Sequence, residues 1–209
     1  MKNYILASAS PRRRELLGEL GIIPTVCPTD ADETIEEMVT PSRFVEILSK
    51  RKADAYKGEL KDNDILIASD TVVALGDTIL GKPVDRQDAF DMLKSLSGKA
   101  HSVFTGITVK SADKCITTHD ETKVYFREMD DDEIWAYVDT GDCDDKSGVP
   151  IWYKEVQRYP WQDKAGGYGI QDPFGMKAVK CIHGDFYNVM GLPVSLLVQI
   201  LKDEFGVVL

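Results

Sequence analysis

A long run of β type, Ile65 to Leu75, carries a carboxylate near its centre. Its two apolar halves are typical of a buried strand, and Ser69-Asp70-Thr71 interrupts them. Gly76-Asp77 is then a turn signal before a short second β segment, which predicts a hairpin. Because an unpaired carboxylate inside a buried strand costs several kcal/mol, Asp70 needs a partner.

Predicted helices alternate with predicted strands along the rest of the chain, which indicates an α/β or α+β fold with a mixed sheet. The helices are expected at Arg12 to Leu20, Pro41 to Tyr56, Arg86 to Leu96, Asp130 to Val138 and Pro193 to Phe205. Further strands are expected at Tyr4 to Ala7, Ser102 to Val109, Ile116 to Phe126 and Met176 to His183. No linker divides these elements, so we expect one domain over 1–209.

The charge balance limits the possible partners of this chain of 209 residues, whose formal net charge is −10. Such acidity argues against nucleic acid and against anionic membranes, both of which need a broad positive surface. No apolar run approaches the roughly 20 residues of a membrane-spanning helix, and the first residues do not have the order of a secretory signal. We therefore expect a cytoplasmic protein. Its cysteines and histidines lack the spacing of a zinc site or a disulfide framework.

Three arginines, Arg12-Arg13-Arg14, lie in the first turn of the first predicted helix. Cations are disfavoured there, whereas the free N–H groups of a helix start attract anions. With Ser8 and Ser10 just before them, one or two of these arginines would form a phosphate cradle. The alternative is an ordinary capped helix with solvated arginines, and Arg14 taken alone fits a surface position.

The partner that Asp70 requires is a metal ion or a cationic side chain, or else the carboxylate is unpaired because it takes part in the reaction. A carboxylate on a rigid strand can hold a divalent cation or accept a proton from water. Glu33 would be a second oxygen ligand. The alternative is structural, since aspartates are common where strands meet turns.

Two glycine-containing segments remain ambiguous from the residues alone. Gly76-x4-Gly81-Lys82 is not a P-loop, because Pro83 replaces the hydroxyl residue that would contact magnesium. Lys82 could still reach a phosphate as a point charge, or be a solvated turn lysine. The segment Gly166 to Gln171 would let backbone approach a ligand, and Gln171 suits the edge of a nucleobase; a plain turn is the alternative.

Together, these segments resemble the Maf family of nucleoside triphosphate pyrophosphatases nearly from end to end. The resemblance is carried by Ser8-Ala9-Ser10-Pro11-Arg12-Arg13, Ser69-Asp70-Thr71-Val72-Val73, Gly81-Lys82-Pro83, Leu96-Ser97-Gly98, the segment from Asp163 to Gln171, and Asn188-Val189-Met190-Gly191-Leu192-Pro193. It implies an α/β fold with a curved mixed β-sheet, flanking helices and a deep central cleft, similar to inosine triphosphate pyrophosphatases. It also implies a homodimer.

The resemblance further implies a reaction and its residues. A house-cleaning hydrolase of the dTTP/UTP branch would release a nucleoside monophosphate and pyrophosphate, with Asp70 as base and Mg or Mn held by Asp70 and Glu33. The implied substrate-binding residues are Ser8, Ser10, Arg12, Arg13, Lys52, Thr71, Lys82, Lys164 and Gln171; among them, Arg12, Thr71 and Gln171 would select the base. The alternative is a nucleotide-binding regulator of septum formation without significant turnover.

The sequence departs from the family pattern at 142–162, a predicted insertion, and at Asp172-Pro173 after Gln171. The insertion carries Trp152, Tyr153, Tyr159 and Trp161, so it is interpreted as a flap over the base, a dimer contact or a cover for exposed core.

Overall fold

The protein is an α/β structure built on one mixed sheet. A computed structural model describes residues 2–141 and 159–209. The strands are β1 (Asn3–Leu6), β2 (Thr25–Val26), β3 (Asp64–Leu75), β4 (Thr78–Leu80), β5 (Ala100–Lys110), β6 (Cys115–Phe126) and β7 (Val179–His183). The helices are α1 (Pro11–Glu19), α2 (Pro41–Asp54), α3 (Arg86–Leu96), α4 (Asp131–Val138), α5 (Pro173–Ala178), α6 (Phe186–Met190) and α7 (Val194–Phe205).

The sheet has seven strands among the described residues, in the order β2-β1-β3-β5-β6-β7, with β4 paired to β3. It is mixed, because β1 runs parallel to β2 and β3 whereas β4 runs antiparallel to β3. This confirms the predicted α/β class with a mixed sheet and helices; the central cleft stays a prediction.

The chain divides into two compact units. The first comprises Met1–Val72, Ser102–Lys123 and Ile182–Leu209, and the second comprises Val73–His101 and Val124–Cys181. The boundaries fall inside strands β3, β5, β6 and β7. The single domain expected over 1–209 stays a prediction.

In the first unit, alternate residues of the central strands face two separate apolar clusters. Leu6, Ile65 and Ile67 pack with residues of α1 and α7, including Leu17 and Leu197. The residues between them, such as Ile5, Leu66 and Ala68, pack with Ala53 of α2. Since side chains alternate across a strand, this pattern fixes which way every later residue of β3 points.

The second unit has an aromatic core around His101. The His101 Nε2 atom lies 2.6 Å from the Tyr168 hydroxyl, and its ring meets Phe126 edge-on at a centroid distance of 4.8 Å. Tyr137 stacks on Phe174 at 4.3 Å. The Tyr137 hydroxyl also donates to the Gly167 carbonyl oxygen at 3.2 Å. Together these contacts hold and bury the segment that carries Tyr168.

Stability is expected to fall in acid through His101. Burial lowers its pKa from 6.5 to about 4. In the unfolded chain His101 binds a proton near pH 6.5, whereas in the folded chain it does so only near pH 4. The free energy of unfolding therefore decreases as the pH falls from 6.5 toward 4. The His101 contribution is about 2 kcal/mol between pH 7 and pH 5. Urea titrations of wild type and His101→Gln measure it as the difference in pH dependence; equal dependence in both would contradict it, and His183→Gln is the control.

The structure contains two short helices, α5 and α6, that were not predicted from the sequence. The strand expected from Met176 begins only at Val179, because Asp172 and Pro173 start helix α5, with the proline in its first turn. Helix α6 was not predicted. It begins after Asp185, whose side chain accepts from the Tyr187 N–H, and ends at Gly191.

Only residues 159–162 of the predicted insertion lie in the described part of the chain. Trp161 is 1% exposed and donates its indole N–H to the Val138 carbonyl oxygen at 3.0 Å. Tyr159 stacks on it at 5.0 Å. This end of the insertion therefore covers core of the second unit. Trp152 and Tyr153 lie outside the described residues.

Candidate active site

The polar break in β3 sends its side chains to opposite faces of the sheet. Asp70 shares its face with Leu66 and Ala68, toward α2, and its carboxylate meets Lys52 on that helix. Thr71 shares its face with Ile65 and Ile67, toward α1, and its hydroxyl meets Arg13. Strand alternation therefore points the neighbouring residues Asp70 and Thr71 toward Lys52 and Arg13 respectively, and Asp70 stays close enough to Arg13 for their charges to interact.

Arg13 is held by three hydrogen bonds to different segments. Its Nε atom donates to the Gly191 carbonyl oxygen at 2.8 Å, Nη1 to the Ser8 hydroxyl at 3.1 Å, and Nη2 to the Thr71 hydroxyl at 3.2 Å. A guanidinium has five N–H groups, so one on each terminal nitrogen is left by these contacts. These two N–H groups are available to donate to a ligand.

Ser8 and Ser10 contribute differently to the cradle. The Ser8 hydroxyl oxygen accepts from Arg13 and from the backbone N–H of Ser10 at 3.2 Å, which leaves its own proton able to donate. Ser10 is the N-cap of α1 and Pro11 is its first residue, but the Ser10 side chain makes no capping hydrogen bond. Arg12, in the same turn, is partly exposed.

Gly191 brings the turn after α6 against the arginine. Its φ angle is +107°, in the left-handed region that favours glycine. A side chain here would start 3.5 Å from the Thr71 hydroxyl and 3.7 Å from Arg13 Nε. The carbonyl oxygen also accepts from the Ser69 hydroxyl at 3.0 Å, so both of its lone pairs are used.

Lys52 lies between two carboxylates. Its ammonium group pairs with Asp70 Oδ1 and, at 3.0 Å, with Glu33 Oε1. The side chains of Lys52 and Asp70 are 15% and 12% exposed, whereas that of Glu33 is 59% exposed. Within 2–141 and 159–209, Asp70 Oδ2 has no hydrogen-bond donor, so this oxygen can accept a proton.

The charges of this region influence one another. Burial lowers the pKa of Arg13, and the nearby carboxylates of Asp70 and Glu33 act in the opposite direction, while Arg12 adds to the lowering. Lys52 thus pairs with both carboxylates, and Arg13 interacts electrostatically with the same two groups, in a chain that is acidic as a whole. That this part of the first unit is a positive site for a polyanion stays a prediction.

Lys82, Lys164 and Gln171 lie in the second unit. Lys164 is 8% exposed, and its ammonium group contacts the Pro160 carbonyl oxygen and Asp172 Oδ2, the latter at 3.1 Å. Lys82 and Gln171 are exposed and have no side-chain partner among the described residues. The Gly166 N–H donates to the Gly81 carbonyl oxygen at 2.9 Å, so the Lys82 segment touches the glycine loop. Their substrate contacts stay predictions.

The glycine loop requires glycine at position 166. Gly166 has a φ of +66°, in the region that favours glycine, and a side chain there would start 2.9 Å from Val73 Cγ2.

The donor set fits a magnesium or manganese ion that takes most of its ligands from a bound phosphate. Asp70 and Glu33 both contact the Lys52 ammonium, so an oxygen of each lies close to the same cationic group. No cluster of three or more acidic, histidine or cysteine side chains suited to a metal occurs in the ranges that the structure covers. Magnesium is often held by one or two carboxylates plus substrate phosphates, which matches this arrangement.

Sequence reasoning missed Thr105, Asn188 and Gly191 as parts of the site. Thr105 and Asn188 are completely buried and connect to Thr71. The segment from Asn188 to Gly191 contributed to the family resemblance, but no site role was predicted for its residues. A buried threonine in a strand and a backbone carbonyl have no signature that distinguishes them from ordinary core.

A mixed-sheet α/β protein with an arginine-serine cradle beside a lysine-carboxylate pair defines a candidate hydrolase of phosphorylated ligands. The model of the family described as Maf-like protein matches residues 3–204, and the chain belongs to that family.

Several relatives carry the name dTTP/UTP pyrophosphatase. One from Thermoanaerobacter sp. (strain X514) is 44% identical over 205 residues, 97% of either chain. One from Aquifex aeolicus (strain VF5) is 45% identical over 202 residues, 95% of this chain and 94% of the relative. One from Desulforamulus reducens is 41% identical over 211 residues, 99% of this chain and 98% of the relative.

Among the described helices, none has the length and apolar character needed to cross a membrane.

Proposed function

We propose that the protein is a nucleoside triphosphate pyrophosphatase that hydrolyses dTTP and UTP to the nucleoside monophosphate and pyrophosphate. The observation that carries the proposal is the arginine of the cradle: Arg13 is fixed by three protein acceptors and keeps two N–H groups for a ligand, close enough to Asp70 for their charges to interact. The names of the relatives support the reaction and the pyrimidine preference.

Substrate binding begins with the phosphates. Arg13 donates its two remaining N–H groups and Ser8 its hydroxyl proton to phosphate oxygens, and Ser10 and Arg12 line the same helix start. Charge-assisted hydrogen bonds of this kind are the strong ones, and the arginine fork fixes orientation as well. Lys52 exchanges part of its contact with the carboxylates for a phosphate oxygen.

Asp70 acts as the base. Its Oδ2 atom accepts a proton from a water molecule while the water oxygen bonds to the α-phosphorus. The bond from that phosphorus to the α–β bridging oxygen breaks, and the electron pair leaves with pyrophosphate, whose charge Arg13 and Lys52 offset. Asp70 and Glu33 would hold a divalent cation, Mg or Mn, which when bound neutralises phosphate charge and polarises the attacked phosphorus.

The remaining assignments come from the family resemblance. Thr71, Arg12 and Gln171 would select the base, Lys82 would grip a phosphate, and Lys164 would belong to the substrate-binding set. The Lys164 contacts with Asp172 and Pro160 indicate that it also orders its own loop. A homodimer in the cytoplasm is the expected form of the enzyme.

The experiment is a substrate panel. Purified protein is incubated with dTTP, UTP and the other common nucleoside triphosphates in the presence of Mg²⁺ or Mn²⁺, and products are identified by ³¹P NMR. We expect dTTP and UTP to react more than about tenfold faster than purine nucleotides, with pyrophosphate as product and a strong loss in EDTA. Nucleotide binding without turnover would instead support the regulator alternative, and release of inorganic phosphate would contradict the α–β cleavage.

A further inference from the structure

Behind Arg13, a line of hydrogen bonds runs through the first unit to the turn that holds Gly191. Thr71 and Thr105 lie with their hydroxyl oxygens 3.0 Å apart. Thr105 Oγ1 donates to the Asn188 carbonyl oxygen at 2.9 Å. We call Thr71, Thr105 and the Asn188 carbonyl the hydroxyl relay. It starts at the Thr71 oxygen that accepts from Arg13 Nη2.

The direction of every bond in the hydroxyl relay follows from counting protons. A threonine hydroxyl has one proton, and that of Thr105 is given to Asn188. Thr105 must therefore accept in its bond with Thr71, so Thr71 donates there. The single direction is Arg13 to Thr71, Thr71 to Thr105, and Thr105 to the Asn188 carbonyl. The Thr71 proton is thereby committed to Thr105, and its oxygen faces the arginine as an acceptor.

Asn188 fixes the far end of the relay. Its side-chain Nδ2 donates to the Val103 carbonyl oxygen and to the Thr122 hydroxyl, both at 3.0 Å. Thr122 in turn donates to the Asp185 carbonyl oxygen at 2.9 Å, at the start of α6. Asn188, Thr105 and Thr122 are all fully buried. Asn188 Oδ1 has no hydrogen-bond partner among the described residues, so the side chain is held by its two Nδ2 bonds, and losing either of them would leave further buried groups unpaired.

The two ends of this network reach Arg13 by separate routes. One is the hydroxyl relay to Nη2, and the other is the chain from Asn188 along the turn to the Gly191 carbonyl, which accepts from Nε. We propose that Thr105 and Asn188 are positioning residues that fix the guanidinium plane of Arg13, so that its two free N–H groups point at the substrate phosphates. Thr71 serves the same alignment through its acceptor oxygen. The phosphate part of this inference rests on the proposed function.

The first test observes the arginine without any substrate. The Nε–H resonance of Arg13, assigned with Arg13→Lys, is followed by ¹⁵N NMR in wild type, Thr105→Val and Thr105→Ser. Valine has the shape of threonine but no hydroxyl, whereas serine keeps it. We expect hydrogen exchange of this N–H to speed up about tenfold or more in Thr105→Val and to stay near wild type in Thr105→Ser. Equal exchange rates in all three proteins would overturn the proposal.

The second test is a double-mutant cycle on dTTP hydrolysis. We expect Thr105→Val to lower kcat/KM about tenfold in the wild-type background, with rescue by Thr105→Ser, but less than about twofold when Arg13 is already alanine. A general structural defect would cost the same factor in both backgrounds and would overturn the proposal. If Thr105→Val does not fold, Thr71→Val breaks the relay one bond nearer the arginine and is measured by the same NMR experiment.

The two tests separate this inference from the proposed function. Wild-type protein that fails to hydrolyse dTTP contradicts the proposed reaction but leaves the Nε–H comparison intact. Wild-type protein that hydrolyses dTTP, with Thr105→Val equal to it in rate and exchange, contradicts the positioning role alone.

Discussion

Replacing Asp70 by asparagine is expected to reduce kcat for dTTP by about 10²–10⁴-fold, the range associated with loss of a general base. The amide has nearly the same shape but cannot accept the proton of the attacking water, and it offers Lys52 no charge. Steady-state rates at saturating dTTP and Mg²⁺ measure the loss, and circular dichroism checks that the variant folds.

The matched control for Asp70 is Asp77→Asn, a carboxylate in the exposed turn after the same strand. It changes the net charge equally and should leave kcat within about twofold, because surface substitutions away from a site have small effects. A folded Asp70→Asn protein with near-normal turnover would remove Asp70 from the role of base.

Replacing Arg13 by lysine is expected to lower kcat/KM for dTTP roughly 100-fold or more. Lysine keeps the charge but loses the planar fork, and with it two charge-assisted hydrogen bonds of about 1.5–3 kcal/mol each. It also removes the guanidinium donors to the Gly191 carbonyl, the Ser8 hydroxyl and the Thr71 hydroxyl.

Arg14→Lys is the control for Arg13, since Arg14 lies next to it in the same helical turn and is exposed. Its kcat/KM should match that of wild type. Wild-type kcat/KM in both variants would show that the helix start attracts phosphate only through overall charge, because lysine keeps that charge, and would contradict the fork geometry.

Most elements could be predicted because their local signals agree with their packing. Ser10 and Pro11 mark the start of α1, and the apolar run that contains Asp70 is a single strand, β3. The second half of helix α5, from Met176, was predicted as strand, although Asp172-Pro173 is a recognisable helix start. Its six residues are too few to display a helical period, and the β pattern that follows it extended the predicted strand backwards.

The parts of the candidate site that could be predicted are the charged residues that lie at unusual places in the sequence. Arg13 in a helix start and Asp70 inside a strand both violate local preference, and each has a specific partner in the structure. The ion pair between Lys52 and Asp70 matches one of the partners considered from sequence, a cationic side chain. Thr105 could not be found this way, because a hydroxyl inside β5 becomes informative only when its partner from another segment is known.

The bond between Arg13 and Gly191 joins positions 178 residues apart in the chain. During synthesis, the carbonyl that aligns the arginine emerges from the ribosome long after the arginine itself. An incomplete nascent chain therefore displays positive charge without an oriented fork. Nucleotide capture should begin only after Gly191 has emerged, and fragments cut short before Gly191 should leave the cellular triphosphate pool untouched.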